Sequence, residues 1–149
     1  MTIIQTLAAE HVVFHNIFDH LEHAAPKLKT VAEVRALAGL LESLLKVHSR
    51  IEDELLMEPL EPNLIQLGQH DNFHAEHEQI DTDLATLGRV RNVAEARKIL
   101  LRAVLASRHH FDKEERIIFP LAKRLLTAKT LTSLGKRWRD QRHAIASES

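Results

Sequence analysis

His48-Ser-Arg-Ile-Glu52-Asp-Glu-Leu-Leu-Met57 and His110-Phe-Asp-Lys-Glu114-Glu-Arg-Ile-Ile-Phe119 are two versions of one phrase, 62 positions apart. Each sets a histidine four residues before a carboxylate and follows the pair with an apolar run. Residues four apart on an α-helix lie one above the other on the same face. Each phrase is preceded by a Glu-His pair, Glu10-His11 and Glu76-His77, 66 positions apart. The repeat predicts helices that present imidazole and carboxylate together, twice.

The helical reading extends outward from these segments. Only four glycines and four prolines punctuate 149 residues, and apolar residues recur at spacings of three and four, the period of an amphipathic helix. A first helix is predicted from about Ile3 to Ala24, with Ile4, Leu7, His11, Phe14, Phe18 and Leu21 on its stripe and Pro26 ending it. A second starts after Thr30, which with Glu33 has the pattern of a capping box. Its stripe is Val34, Leu37, Leu41, Leu44, His48, Ile51 and Leu55, and Pro59 and Pro62 are expected to bracket the turn out of it. A third reaches about Leu87, with Leu64, Leu67, Phe73, His77, Ile80 and Leu84 inward and Gly88 as its stop. A fourth opens at Asn92, an N-cap type, and carries Ile99, Leu100, Val104, His110, Ile117, Ile118 and Leu121. Pro120 should kink or break it. A shorter helix follows Thr130 through Leu131, Leu134 and Trp138. The expected fold is all-α: an up-down-up-down four-helix bundle with a short additional C-terminal helix, in one domain over residues 1–149.

Composition narrows the function. Hydrophobic residues make up 44% and charged residues 28%, with a net charge of −1 when histidine is neutral. Such a balance offers no basic field for nucleic acid or an anionic membrane. The absence of cysteine excludes disulfides, iron–sulfur clusters and thiolate zinc sites. Met1-Thr-Ile-Ile-Gln lacks a basic region before an apolar core, and no stretch is apolar enough to span a bilayer. A cytoplasmic protein, monomeric or homodimeric, is the expectation. Histidine is the compositional outlier, at 11 residues against no tyrosine.

Both His-x-x-x-Glu pairs fall on the apolar stripes, as do His11 and His77. Four imidazoles and two carboxylates should therefore converge inside the bundle. Burying two unpaired carboxylates would cost several kcal/mol each, and metal cations remove that cost. Glu52 and Glu114 are the natural bridging ligands, with His11, His48, His77 and His110 terminal. A lone His-x-x-x-Glu carries little information, since about one is expected by chance in a chain this rich in both residues. Stripe placement and repetition carry it instead. Asp53, Glu54 and Glu115 are expected on the helix flanks, solvated or paired with arginine. His20, His23, His109 and His143 are expected at the surface. The five phenylalanines read as core, with Phe73 and Phe111 also in position to line a dry pocket.

These motifs resemble the hemerythrin-like family, also called the HHE cation-binding domain. The resemblance rests on His11, His48 with Glu52, His77, His110 with Glu114, and Phe119-Pro120 after the last pair. It implies a four-helix bundle around a non-heme di-iron centre: two iron ions with an oxo or hydroxo bridge, manganese or zinc being less favoured. It implies O2, NO or peroxide as the small partner. Oxygen-carrying members have a second histidine one turn earlier on the third helix, where this chain has Phe73. His74, rotated by about 100° from Phe73, is the candidate to supply that nitrogen. His15 and then His70 rank behind it. With at most five histidines, an open coordination position is expected, which favours sensing or turnover over oxygen transport. Three functions follow: a protein that binds or senses O2, NO or peroxide in iron or redox stress; a di-iron enzyme turning over peroxide or NO; or a metal-free or zinc-holding interaction bundle.

Overall fold

The computed structural model describes residues 1–148, and among them every regular element is helical. Helix α1 spans Ile3–Ala24, opened by a capping box between Thr2 and Gln5, and a single 3-10 turn, Ala25–Lys27, closes it at Pro26. Helix α2 spans Val31–Glu52 from an N-cap at Thr30, whose hydroxyl accepts from the Glu33 amide. A π-helical turn, Asp53–Met57, then leads without a break into α3, Glu58–Gln66. Helix α4 spans His70–Thr86, and α5 spans Val93–Lys113 from an Asn92 N-cap. A second π turn, Glu114–Ile118, continues α5 into α6, Phe119–Leu125. Helix α7 spans Ala128–Glu148, so the additional C-terminal helix runs well past Trp138. No helix of the described residues is long and apolar enough to cross a membrane.

Two sequence expectations about proline are corrected. The chain does not turn at Pro59–Pro62; it stays helical to Gln66 and turns at Gly68, whose φ of 69° is left-handed. Nor does Pro120 break its helix. Each π turn closes on a five-residue hydrogen bond, Glu58 N–H to the Asp53 carbonyl and Phe119 N–H to the Glu114 carbonyl. Proline comes immediately after, as Pro59 and Pro120, in the first turn of the next helix, where its missing N–H costs least. Leu67, expected to be inward, is exposed in the turn, and Leu45 takes the buried place expected of Leu44.

Helix α5 packs against α1, α2 and α4, while α7 lies along α1. Contacts between α1 and the rod formed by α5 and its π turn step in opposite senses along the chain: His11 faces Glu115, and Asp19 faces Arg108. Those between α4 and α5 do the same, from Glu76–His110 to Asp83–Arg102. Two apolar cores result. One contains Phe14, Phe18, Leu41, Leu45, Ile80, Leu100 and Phe111. The other contains Ile3, Leu7, Ile51, Leu56, Leu60, Leu64, Phe73 and Ile118. His11, His48, Glu52, His110 and Glu114 are buried at the level between them. A polar layer inside a helical bundle is costly unless every group has a partner.

Candidate metal centre

The polar layer is built from four helices. Helix α1 contributes His11, α2 contributes His48 and Glu52, α4 contributes His77, and the end of α5 with its π turn contributes His110 and Glu114. Potential ligand atoms of His11, His48, Glu52 and Glu114 all lie within 4.8 Å of one another. So do those of Glu52, His77, His110 and Glu114. The two groups share both carboxylates.

All four histidines are oriented alike. His48 donates from Nδ1 to Glu10 at 3.4 Å and turns Nε2 toward Glu52 at 3.2 Å. His110 donates from Nδ1 to Glu76 at 2.7 Å and turns Nε2 toward Glu114. His11 places Nδ1 3.0 Å from Glu115 and Nε2 3.0 Å from Glu114. His77 places Nδ1 3.8 Å from Asp53 and Nε2 4.0 Å from Glu114. A carboxylate only accepts, so at His11, His48 and His110 it fixes a proton on Nδ1 and reserves the inward Nε2 lone pair for a proton or a cation, while His77 is turned the same way without a hydrogen bond. That arrangement orients metal-ligating histidines and raises their basicity.

The inner atoms are also unsatisfied. Nε2 of His11, His48 and His110 and both carboxylate oxygens of Glu52 and Glu114 are buried without a hydrogen-bond partner. Their mutual approaches are close but not aligned as hydrogen bonds. Seven orphaned polar atoms around one interior point would be a severe penalty for an ordinary core. They fit a cation that accepts nitrogen and oxygen donors.

The local electrostatics agree. Burial, reinforced by the charge of Glu114, pushes the Glu52 carboxyl up to about 7. Burial would raise Glu114 too, but the facing His110 and His11 hold it well below the usual carboxylate range. Burial opposes charge on His48, yet Glu10 and Glu52 raise it to about 10; His110, against the same burial, is raised to about 9 by Glu114, Glu52 and Glu76. His77 goes the other way, to about 4, through burial and the charge of His110. In the metal-free protein, protons on His48 and His110 take the place that cations would hold.

Aromatic rings wall the layer. Phe111 stacks on His11 with ring centres 4.0 Å apart, Phe14 meets His48 edge-on at 5.2 Å, and Phe73 meets His110 edge-on at 5.6 Å. A narrow cleft lined by Leu45, Ile80 and Phe111 reaches His77 and His110 from one side. Phe111 thus borders both the layer and an apolar approach, whereas Phe73 lies within the core that holds Ile3, Leu7 and Leu60.

The structure does not bring His74 to this layer. It is exposed, and its ring lies 4.6 Å from that of His70, on the outer face of α4. The 100° step from buried Phe73 carries it outward rather than inward. His15 turns its Nδ1 to Arg108 at 2.9 Å, and His70 pairs with Glu61 at 3.1 Å. His20, His23, His109 and His143 are exposed, as expected. Glu115 and Asp53, expected to be plain flank residues, face His11 and His77 instead. The sequence reading also missed the use of Glu10 and Glu76. Their signal was present in the repeated Glu-His dipeptide: the histidine enters the layer, while the glutamate before it crosses to the histidine of the next long helix.

Among the described residues the bundle is all-helical and encloses two carboxylate-sharing groups that could hold metal ions. Residues 2–122 match the hemerythrin HHE cation binding domain, and the chain belongs to that family. The matched residues include all six members of the layer, while α7 lies beyond them. No curated protein and no solved structure matches the chain.

Proposed function

We propose that the layer holds two iron ions and that the protein binds or senses O2, NO or peroxide there. His11 and His48 would hold one ion and His77 and His110 the other, with Glu52 and Glu114 available to both. The observation that carries this reading is the shared orientation of the four imidazoles, each with Nδ1 facing a carboxylate and Nε2 facing the same interior point. Nitrogen and carboxylate oxygen suit iron, with manganese and zinc as competitors. Iron would supply the redox electrons and the open coordination position.

The protein residues have simpler tasks. Glu10, Glu76, Glu115 and Asp53 orient the imidazoles. Phe111, Phe14 and Phe73 exclude water from the faces they cover. The cleft beside Phe111 and Ile80 is narrow and mostly apolar, which suits an uncharged diatomic better than a larger substrate. Ser49 and Ser107 line it too; Ser107 bonds back to the Ala103 carbonyl, and no nucleophile–base pair is apparent. Peroxide or NO turnover is the second reading. It is favoured by the position of His74, which leaves four imidazoles for two ions and more than one free coordination position.

The test is metal analysis and optical spectroscopy on the full chain produced with iron supplied. About two irons per chain are expected, one for each donor group that two bridging carboxylates define. Addition of O2 or NO to the ferrous protein should change the spectrum reversibly for a binder or sensor. Oxygen release from added peroxide would mark the enzyme. Protein containing no iron, or zinc well below one per chain, would overturn the di-iron reading.

A further inference from the structure

The buried layer has few ways in. Side chains of His11, His48 and His110 are at most 2% exposed, while His77 keeps 14%. The outward nitrogen of His77 faces Asp53. Asp53 in turn lines a surface cavity of about 210 Å³ together with Glu58, Glu61, His70 and His74. No lysine or arginine lines that cavity. The cleft beside Phe111 also reaches His77 and His110, but it is narrow and mostly apolar, with Asp81 as its one carboxylate. Two other approaches differ. Glu10, behind His48, is covered by Trp138 and Arg142, and Glu76, behind His110, is held by Lys113. A cation arriving on those sides meets a positive charge. One arriving at Asp53 meets three carboxylates.

The cavity also holds metal-binding groups. His70 and His74 stand one turn apart on α4 with ring centres 4.6 Å apart, and Glu61 Oε1 lies 3.1 Å from His70 Nε2. Two histidines at this helical spacing can grip one transition-metal ion from a single face once their rings turn to it; as placed, their nitrogens and the Glu61 carboxylate do not converge on one point as the buried groups do. Two imidazoles and one carboxylate leave the remaining positions to water, so a cation held here keeps the freedom to move on.

We infer that this cavity is a loading site for divalent transition-metal cations, which bind through His70, His74 and Glu61 and pass by Asp53 and His77 into the buried layer. The inference rests on the two-metal reading above and adds the route by which that site fills. It gives His74 a role outside the final ligand set.

The test follows metal uptake. Full-length, metal-stripped protein is mixed with cobalt(II), and the visible absorption of the bound ion is recorded with time. The wild-type rate should level off as cobalt rises, because a first site saturates before transfer. A variant carrying His70→Ala and His74→Ala should take up cobalt severalfold more slowly at low metal, because the ion loses the imidazoles that hold it before transfer. Its final cobalt content and spectrum should equal those of wild type, and far-UV circular dichroism should be unchanged. Glu58→Gln, which removes a cavity carboxylate that faces no histidine of the layer, should slow uptake too. A control with His20→Ala and His23→Ala, exposed elsewhere, should load normally. Equal rates in wild type and the His70/His74 variant would overturn the route while leaving the buried site intact. A lower final content in that variant would overturn it as well, because His70 or His74 would then belong to the final site. Wild type taking up no cobalt would remove the two-metal reading and this inference with it.

Discussion

Glu10 joins His48 to the C-terminal helix. One of its oxygens lies 3.4 Å from His48 Nδ1 and accepts from the Trp138 indole at 2.9 Å, while the other is paired with Arg142. Burial resists charge on Glu10, but His48 and Arg142 keep its carboxyl below the usual range. Helix α7 lies outside the residues that define the family match, yet it fixes the group that orients an inward-facing imidazole of the layer. Glu76 plays the matching part for His110 and is anchored by Lys113 of the neighbouring helix turn. Replacing Glu10 or Glu76 by alanine should weaken metal binding by about 10–100-fold, the usual cost of removing such an orienting partner. Competition with a chelator of known affinity measures it. Trp138→Phe keeps the ring but removes the N–H, and should produce a smaller loss in the same direction.

Glu52 and Glu114 should respond differently from a merely structural pair. Alanine at either position removes a group shared by both donor sets, so metal content should fall from about two per chain toward zero. Glu52→Gln separates binding from stability. In the metal-free chain Glu52 is a fully buried carboxyl whose charge is opposed by burial and by Glu114. Removing that charge should raise the melting temperature of the stripped protein by a few degrees, on the order of 1 kcal/mol, while metal binding is lost. Calorimetry with and without chelator checks both halves. A lower melting temperature for the stripped variant would mean that Glu52 is already well paired without metal.

The pH dependence follows from the same groups. In the stripped protein His48 is raised to about 10 and His110 to about 9, from an ordinary value of 6.5. A histidine raised by folding contributes stability that is complete below its unfolded value and disappears as pH rises through its folded value. Glu52, raised from 4.5 to about 7, acts in the same direction at lower pH, because folding favours its protonated form. The stripped protein should therefore lose melting temperature steadily from about pH 6.5 to pH 10. Metal must displace these protons, so its affinity should rise over that range. Melts of stripped and loaded protein should diverge as pH increases. A constant gap would show that protons and metal do not compete for His48 and His110.

Gly135 allows α7 to dock. It is buried, and a Cβ there would collide with the backbone of Met1 and Thr2. Gly135→Ala should destabilise the chain by about 1–3 kcal/mol, the typical cost of overpacking. Trp138 is the sole tryptophan, so its fluorescence reports whether α7 has shifted. If undocking frees Glu10, metal should also leave faster than from wild type.

The layer was legible because its chemistry repeats at a helical period. His48 with Glu52 and His110 with Glu114 could be placed on one face from spacing alone, and His11 and His77 from the stripes they interrupt. Glu10, Glu76 and Glu115 were not legible in the same way. Each reaches a histidine on another helix, and nothing local states which helices become neighbours or how they are rotated. His74 shows the limit of height as a guide: one residue from the right level still turned it outward. The prolines misled for a different reason. Proline ends an α-helix when the preceding turn needs its N–H, but a π turn moves that bond to the residue before it. Glu58 and Phe119 donate instead of Pro59 and Pro120. Sequence rules for helix ends assume one ladder spacing, and here there are two.

Those wide turns have a mechanical consequence. A π turn adds a residue without ending the rod, so it resets the rotation of everything beyond it. In a regular α-helix, residues four apart drift by about 40° per step, and the series Glu52, Leu56, Leu60, Leu64 would spiral out of the core. All four are buried here, as are Glu114, Ile118 and Ala122 on the other rod. Each turn works as a phase adjuster between two gears. The upper teeth are set to hold donor atoms at a fixed angle, and the lower teeth are set to mesh with α1 and α7. Removing one residue after Glu52 in the first turn, or after Glu114 in the second, would leave the donors in place and put the whole lower gear out of mesh.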